Sequence, residues 1–125
     1  GSHIERSLVA EGCFLEKTNV RHTIVGLRSI IRSGTEIESS IVMGNDYFED
    51  SASQEKDQKE GVPSLGIGRN CLIQKAIIDK NVRIGDGVKI VNSEKRTHFE
   101  GQNYMIVDGI TVVEKDAIIP SGSVL

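Results

Sequence analysis

The chain of 125 residues has no Trp, two Pro, two Cys and five aromatic residues in all. Leu and Ala, which lead the helix scale, are also scarce: six Leu and four Ala stand against sixteen Ile and twelve Val. Ile and Val are stiff at χ1 and favour strands, so a helical bundle is excluded. Two Pro beside thirteen Gly point to many tight corners and exclude a collagenous or low-complexity chain. No run approaches the about 18 apolar residues of a membrane span, and no leader-like segment is visible. A net charge of −3 excludes a nucleic-acid binder that works by bulk charge. Cys13 and Cys71 lack CxxC spacing and metal-ligand neighbours, which favours a reducing, intracellular setting. Gly1 to His3 reads as the remnant of a cleaved tag. The domain is then 4–125, and it opens in mid-pattern, so an upstream domain is expected.

What is present is a period of six. Aliphatic anchors recur as Val25, Ile31, Ile37; as Ile78, Ile84, Ile90; and as Val107, Val113, Ile119, Leu125. Steps of five join Leu15 to Val20 and Ile73 to Ile78. Neither a 3.6-residue helix nor an unbroken alternating strand has this period, whereas a short strand followed by a corner does. Four residues after the anchors stand small or β-branched residues, among them Cys13, Ser29, Thr35, Cys71, Val82, Val88, Ala117 and Ser123. Gly follows the anchor directly at Gly26, Gly68 and Gly85. Anchor and small residue both face inward across a bend.

This is the hexapeptide-repeat pattern of an all-β, single-stranded parallel β-helix. Three faces of roughly six residues make one coil, and coils stack ~4.8 Å apart as parallel strands. The expected core is Val9, Leu15, Val25, Ile31, Ile37, Ile67, Ile73, Ile78, Ile84, Ile90, Val113 and Ile119. Both cysteines fall at small inward positions and read as inert filler. Two polar stretches, 45–64 and 92–104, interrupt the period and read as loop insertions at coil corners. Ser51 with Gln54 resembles a capping box that would start a short helix in the first.

Few residues could carry chemistry. His22 and His98 are too few for a three-histidine zinc site, and no G-x-S-x-G, P-loop or H-E-x-x-H element occurs. The expectation is no catalytic residue, no metal and no cofactor in this domain. A free-standing acyltransferase with His98 on its loop, and a purely structural solenoid, are the alternatives. Basic residues are more informative. Lys80 and Lys115 each stand two positions after an anchor, Ile78 and Val113, near a corner and projecting outward. Lys holds phosphate as a point charge, and a neighbouring Arg adds a planar fork.

Three segments carry a closer resemblance: HTIVGLRSIIRSGTEIESSIVMGNDYF from His22, GIGRNCLIQKAIIDKNVRIGDGVKIVN from Gly66, and ITVVEKDAIIPSG from Ile110. Together they resemble the carboxy-terminal domain of ADP-glucose pyrophosphorylase (glucose-1-phosphate adenylyltransferase), nearer the plant and cyanobacterial type than the enteric one. The resemblance runs from Ser7 to Leu125 and includes the position of both insertions. It implies a left-handed coil. It also implies a nucleotidyltransferase that makes ADP-glucose and pyrophosphate from ATP and glucose 1-phosphate, for starch or glycogen synthesis. Catalysis and Mg²⁺ would reside in the enzyme's own amino-terminal domain, and this domain alone would be inactive. It would serve regulation and assembly into a homotetramer, in the cytoplasm or, in a plant, the plastid. Phosphorylated metabolite effectors would bind at Lys80, in IIDKN, and Lys115, in VEKDA, both of which match family lysines. Arg83 is assigned to the same anion site by position. Neither nucleic acid nor membrane is expected as a partner.

Overall fold

A computed structural model describes all 125 residues. The chain winds through five coils of three short strands. The first has β1 (His3–Glu5), β2 (Leu8–Val9) and β3 (Phe14–Leu15). The second has β4 (Asn19–Arg21), β5 (Ile24–Val25) and β6 (Ile30–Ile31). The third has β7 (Glu36–Glu38) and β8 (Ile41–Val42), then a helix α1 (Ser51–Glu60), then β9 (Gly66–Ile67). The fourth has β10 (Leu72–Gln74), β11 (Ala76–Ile78) and β12 (Arg83–Ile84). The fifth begins with β13 (Lys89–Ile90), detours through β14 (His98–Glu100) and β15 (Tyr104–Val107), and finishes with β16 (Ile110–Val113) and β17 (Ile118–Ile119).

Stacking makes three sheets, one per face, and every strand pair between coils is parallel. Each sheet sends one column of side chains inward. Val20, Ile37, Ile73 and Ile90 align in the first, Val25, Val42, Ile78 and Val113 in the second, and Ile31, Ile67, Ile84 and Ile119 in the third. All of these are buried, and burying one such side chain stabilises the fold by about 1.5–3 kcal/mol. Two expected core residues differ. Val9 is 38% exposed and Leu15 half-buried, because they belong to the first coil and no coil lies beneath them. Val107 also departs from its expected anchor role. It sits on the hairpin strand β15, exposed, and its neighbour Ile106 points inward instead.

Corners hold the small residues. Ser29, Thr35, Cys71, Val82, Val88 and Ala117 are buried there, with Cys13 and Ser123 at the rims. The glycines that follow anchors permit close stacking. A Cβ on Gly68 would lie 2.4 Å from the carbonyl oxygen of Gly85 in the next coil. A further corner column was not apparent from the period. The hydroxyls of Ser7, Thr23 and Ser40 each donate to the carbonyl two residues back, at 2.8 Å. Each also accepts a backbone amide from the coil above: Thr23 to Ser7, Ser40 to Thr23, Ala76 to Ser40. This ladder satisfies buried amides that the strand pairing leaves over. Ala76 ends it, and the Thr111 hydroxyl one coil higher is buried without a partner.

Neither insertion is a plain loop. The first contains α1, and its N-cap is Asp50 rather than Ser51: the Asp50 carboxylate accepts the Ser53 amide at 2.8 Å. A charged acceptor outside the first turn suits the helix dipole better than a hydroxyl within it. In the second, β14 and β15 form an antiparallel extension of the middle sheet, joined to β16 by the pair Asp108-Gly109 at φ 52° and 77°. Asp-Gly is the favoured two-residue hairpin turn because both positions need positive φ.

The outer faces differ in character. On the middle sheet Leu8, Ile24, Ile41, Ile77, Val112 and Met105 lie side by side in register. Leu8, Ile24 and Ile41 are 70%, 48% and 40% exposed. The sheet through β4 and β7 instead shows Asn19, Arg21, Glu36 and Glu38 to solvent.

Candidate functional site

The corner after the middle sheet brings the two candidate lysines together. Ile78 pairs with Val113, so Lys80 and Lys115 occupy the same place in successive coils. The Asp116 amide donates to the Lys80 carbonyl at 3.0 Å and the Asn81 amide to the Gly44 carbonyl at 3.2 Å. Three levels of chain are thereby stacked, and both lysines are exposed at the rim. Asn81 takes the left-handed turn at φ 60° and is nearly buried.

Sequence reasoning missed a third member, Asp46. Its Oδ1 lies 3.3 Å from Lys80 Nζ, its Oδ2 accepts from Asn81 Nδ2 at 2.9 Å, and its amide donates to Asn81 Oδ1 at 2.9 Å. The Asn81 hydrogen bond first, then Lys80 and the charge of Lys115, hold the Asp46 carboxyl below its ordinary range. Asp46 begins the first insertion, so no periodic signal marks it. Lys115 makes no ion pair. The site is therefore two ammonium groups one coil apart, one of them already holding an internal carboxylate.

Arg83 is placed differently. It projects from the next sheet into the first insertion, where Nη2 pairs with Glu49 at 3.1 Å and Nη1 with Asp57 of α1 at 2.7 Å. Nη1 also donates to the Pro63 carbonyl at 3.1 Å. Glu49 is 3% exposed, and its other oxygen accepts the Leu65 amide at 2.6 Å. Burial disfavours the charged guanidinium, but the two carboxylates outweigh it and push its pKa up. Helix α1 has no buried residue of its own. Arg83 is thus a clamp that fastens the insertion, with both of its amino groups engaged.

Residues 1–124 match a family model described as the GLGC left-handed parallel β-helix domain. The chain belongs to this family. It is 45% identical over 123 residues to the glucose-1-phosphate adenylyltransferase small subunit of Zea mays, covering 95% of this chain and 98% of that sequence. It is 43% identical over 121 residues to the chloroplastic/amyloplastic small subunit of Triticum aestivum. There it covers 95% of this chain but only 26% of the wheat sequence. The winding is left-handed, against the usual right-handed crossover.

Within this GLGC-type β-helix the remaining candidates stand apart. His98 lies on β14, exposed, 3.9 Å from an equally exposed Asp108. His22 is at the opposite end of the coil stack, at a left-handed corner with φ 47°. Cys71 is buried in the core and its Sγ donates to the Gly85 carbonyl at 3.2 Å. No three His, Cys, Asp or Glu side chains gather in metal-binding geometry. No helix is long and apolar enough to cross a membrane.

Proposed function

We propose that this chain is the regulatory and assembly domain of a glucose-1-phosphate adenylyltransferase. The whole enzyme transfers the adenylyl group of ATP to glucose 1-phosphate, giving ADP-glucose and pyrophosphate for starch or glycogen synthesis. The amino-terminal domain of the enzyme carries the chemistry and the Mg²⁺ that nucleotidyl transfer uses. The observation that carries the regulatory reading is the register of Lys115 above Lys80, with Asp46 between insertion and coil.

A phosphorylated metabolite bound at this corner exchanges hydration for two ammonium contacts and displaces Asp46 from Lys80. Release of Asp46 loosens the start of the first insertion, so binding and insertion geometry are coupled. Coupling of this kind is typically ~1–3 kcal/mol, and it acts only if the effector contacts the two arrangements of the domains differently. Arg83, held by Glu49 and Asp57, serves this site by fixing the insertion that carries Asp46. In the full-length enzyme, Lys80→Ala and Lys115→Ala raise the half-activating effector concentration roughly tenfold and leave unstimulated turnover nearly unchanged. Asp46→Ala, which removes the internal competitor, lowers it. Two lysine variants that respond like wild type overturn the assignment.

The relatives are named subunits, and the apolar column on the middle sheet supports a contact with a second subunit in a tetramer. Its six aliphatic side chains carry no charge to leave unpaired, so two such faces fit each other. Ile41→Lys dissociates the assembly in light scattering if this face is the contact. For location we propose the plastid in a plant host and the cytoplasm otherwise, on the strength of the wheat relative's name.

A further inference from the structure

The corner after the third sheet holds a cavity of about 250 Å³ between the end of the first insertion and the coil wall. Arg32 and Arg69 line it from successive coils, Gly68 and Gly85 floor it with bare backbone, and Ser64 and Ser121 stand at its sides. It lies on a different edge of the triangle from Lys80 and Lys115.

Its charges are unbalanced. Neither Arg32 nor Arg69 belongs to any ion pair of the chain. Arg32 is half-buried and donates only to neutral acceptors, the carbonyls of Ile67 at 3.3 Å and Leu65 at 3.1 Å. The side chain of Arg69 makes no hydrogen bond and is exposed at the mouth. One carboxylate shares the cavity, Asp86, and its Oδ1 accepts the Arg69 amide at 2.8 Å. Glu49, the other nearby acid, is taken by Arg83 and the Leu65 amide. Burial first, and then the like charge of Arg69, work against the Arg32 guanidinium and outweigh the attraction of Glu49 and Asp86, a cost that a bound anion removes.

The donors have a shape. Two guanidinium forks approach from different coil levels. The Ser121 hydroxyl accepts the Asp86 amide at 3.0 Å and keeps its own proton free, and the Ser64 hydroxyl makes no hydrogen bond. A planar carboxylate engages one fork; a tetrahedral dianion presents oxygens to both forks and to the hydroxyls. We propose that this pocket is an anion site for a phosphate dianion, free or as a small monoester, distinct from the lysine corner and dependent on the seated insertion.

The test uses the isolated chain labelled with ¹⁵N and titrated with inorganic phosphate at constant ionic strength. A parallel titration uses glycerol 3-phosphate. Saturable shifts at the amides of Ser64, Gly68, Arg69 and Asp86 are expected. Arg69→Ala, at an exposed position that does not carry the fold, weakens them roughly tenfold; Lys80→Ala leaves them unchanged. Tighter binding of glycerol 3-phosphate identifies a monoester site, and tighter binding of inorganic phosphate a free-phosphate site. Shifts matched by chloride, confined to the Lys80 corner, or indifferent to Arg69→Ala overturn the proposal.

Discussion

The hydroxyl of Ser40 accepts the amide of Ala76 at 3.1 Å, across thirty-six residues of chain and one coil of the stack. The first insertion lies between them in sequence, yet the coil above lands as though it were absent. The same hydroxyl donates to the Glu38 carbonyl at 2.8 Å, so one small side chain satisfies two backbone groups in a buried corner.

Ser40→Ala therefore strands the Ala76 amide without a replacement. A cost of about 1–2 kcal/mol is expected, read as a lower urea midpoint with an unchanged slope. Ser40→Thr keeps the hydroxyl and should recover most of the loss. Equal stability of Ser40→Ala and wild type would show that water serves the amide.

Arg83→Ala removes the clamp on the first insertion and leaves Glu49 buried without its cation. Stranding a buried carboxylate in this way costs about 3 kcal/mol. The loss should appear first as fast hydrogen exchange in α1 and a weaker helical band in circular dichroism, because α1 buries nothing else. Protection in β12 and β17 should persist. A variant whose helix exchanges as slowly as wild type refutes the clamp.

Acid should release the insertion before it disturbs the coils. The Asp50 carboxyl is held below its ordinary 3.8 by the Ser53 amide, and Asp46 by Asn81 and Lys80. Carboxyls depressed in the folded state stabilise it fully above the unfolded value and lose that contribution as pH falls through the folded one. Helical signal should therefore fall below about pH 4 while the apolar columns keep the β-helix intact. A pH titration by circular dichroism checks this, and constant helix content down to strongly acid solution contradicts it.

The two thiols should separate chemically. Burial pushes the Cys71 thiol up from its ordinary 9.0, so it stays protonated at neutral pH, and it is 2% exposed. Cys13, in the open first coil, is half-buried. A thiol reagent at neutral pH should modify Cys13 in the native protein and Cys71 only after unfolding. Equal native rates would mean the corner opens more easily than its packing implies.

The period of six was enough to read the architecture, since every interior coil repeats one arrangement and Ile or Val at the anchor reports it. It misled at the margins, where that arrangement ends. Val9 follows the pattern but has no coil beneath it, and Val107 matches the spacing by coincidence on an antiparallel hairpin. At the site, Lys80 and Lys115 were legible because they share a phase. Asp46, Glu49 and Asp57 were not, since they come from an insertion whose docking rests on ion pairs that no period records. The Asp108-Gly109 turn was readable from its dipeptide, but the six-residue spacing claimed its neighbour Val107 as an anchor instead.

The two ends of the stack are not equivalent. Above, β14 and β15 fold over the top of the middle sheet in antiparallel sense, and the Leu125 amide and carbonyl pair with Lys89, Val91 and Asn92 to close the top of the first. Below, the hydrogen-bonding edges of β1, β2 and β3 have no partner within the chain. End-to-end growth of a solenoid into a fibre requires a donor edge and an acceptor edge on every unit. At the top, β14 and β17 still end their sheets without a further strand, so only the first face denies a second copy an edge to pair with, and upward growth would have to begin on the other two.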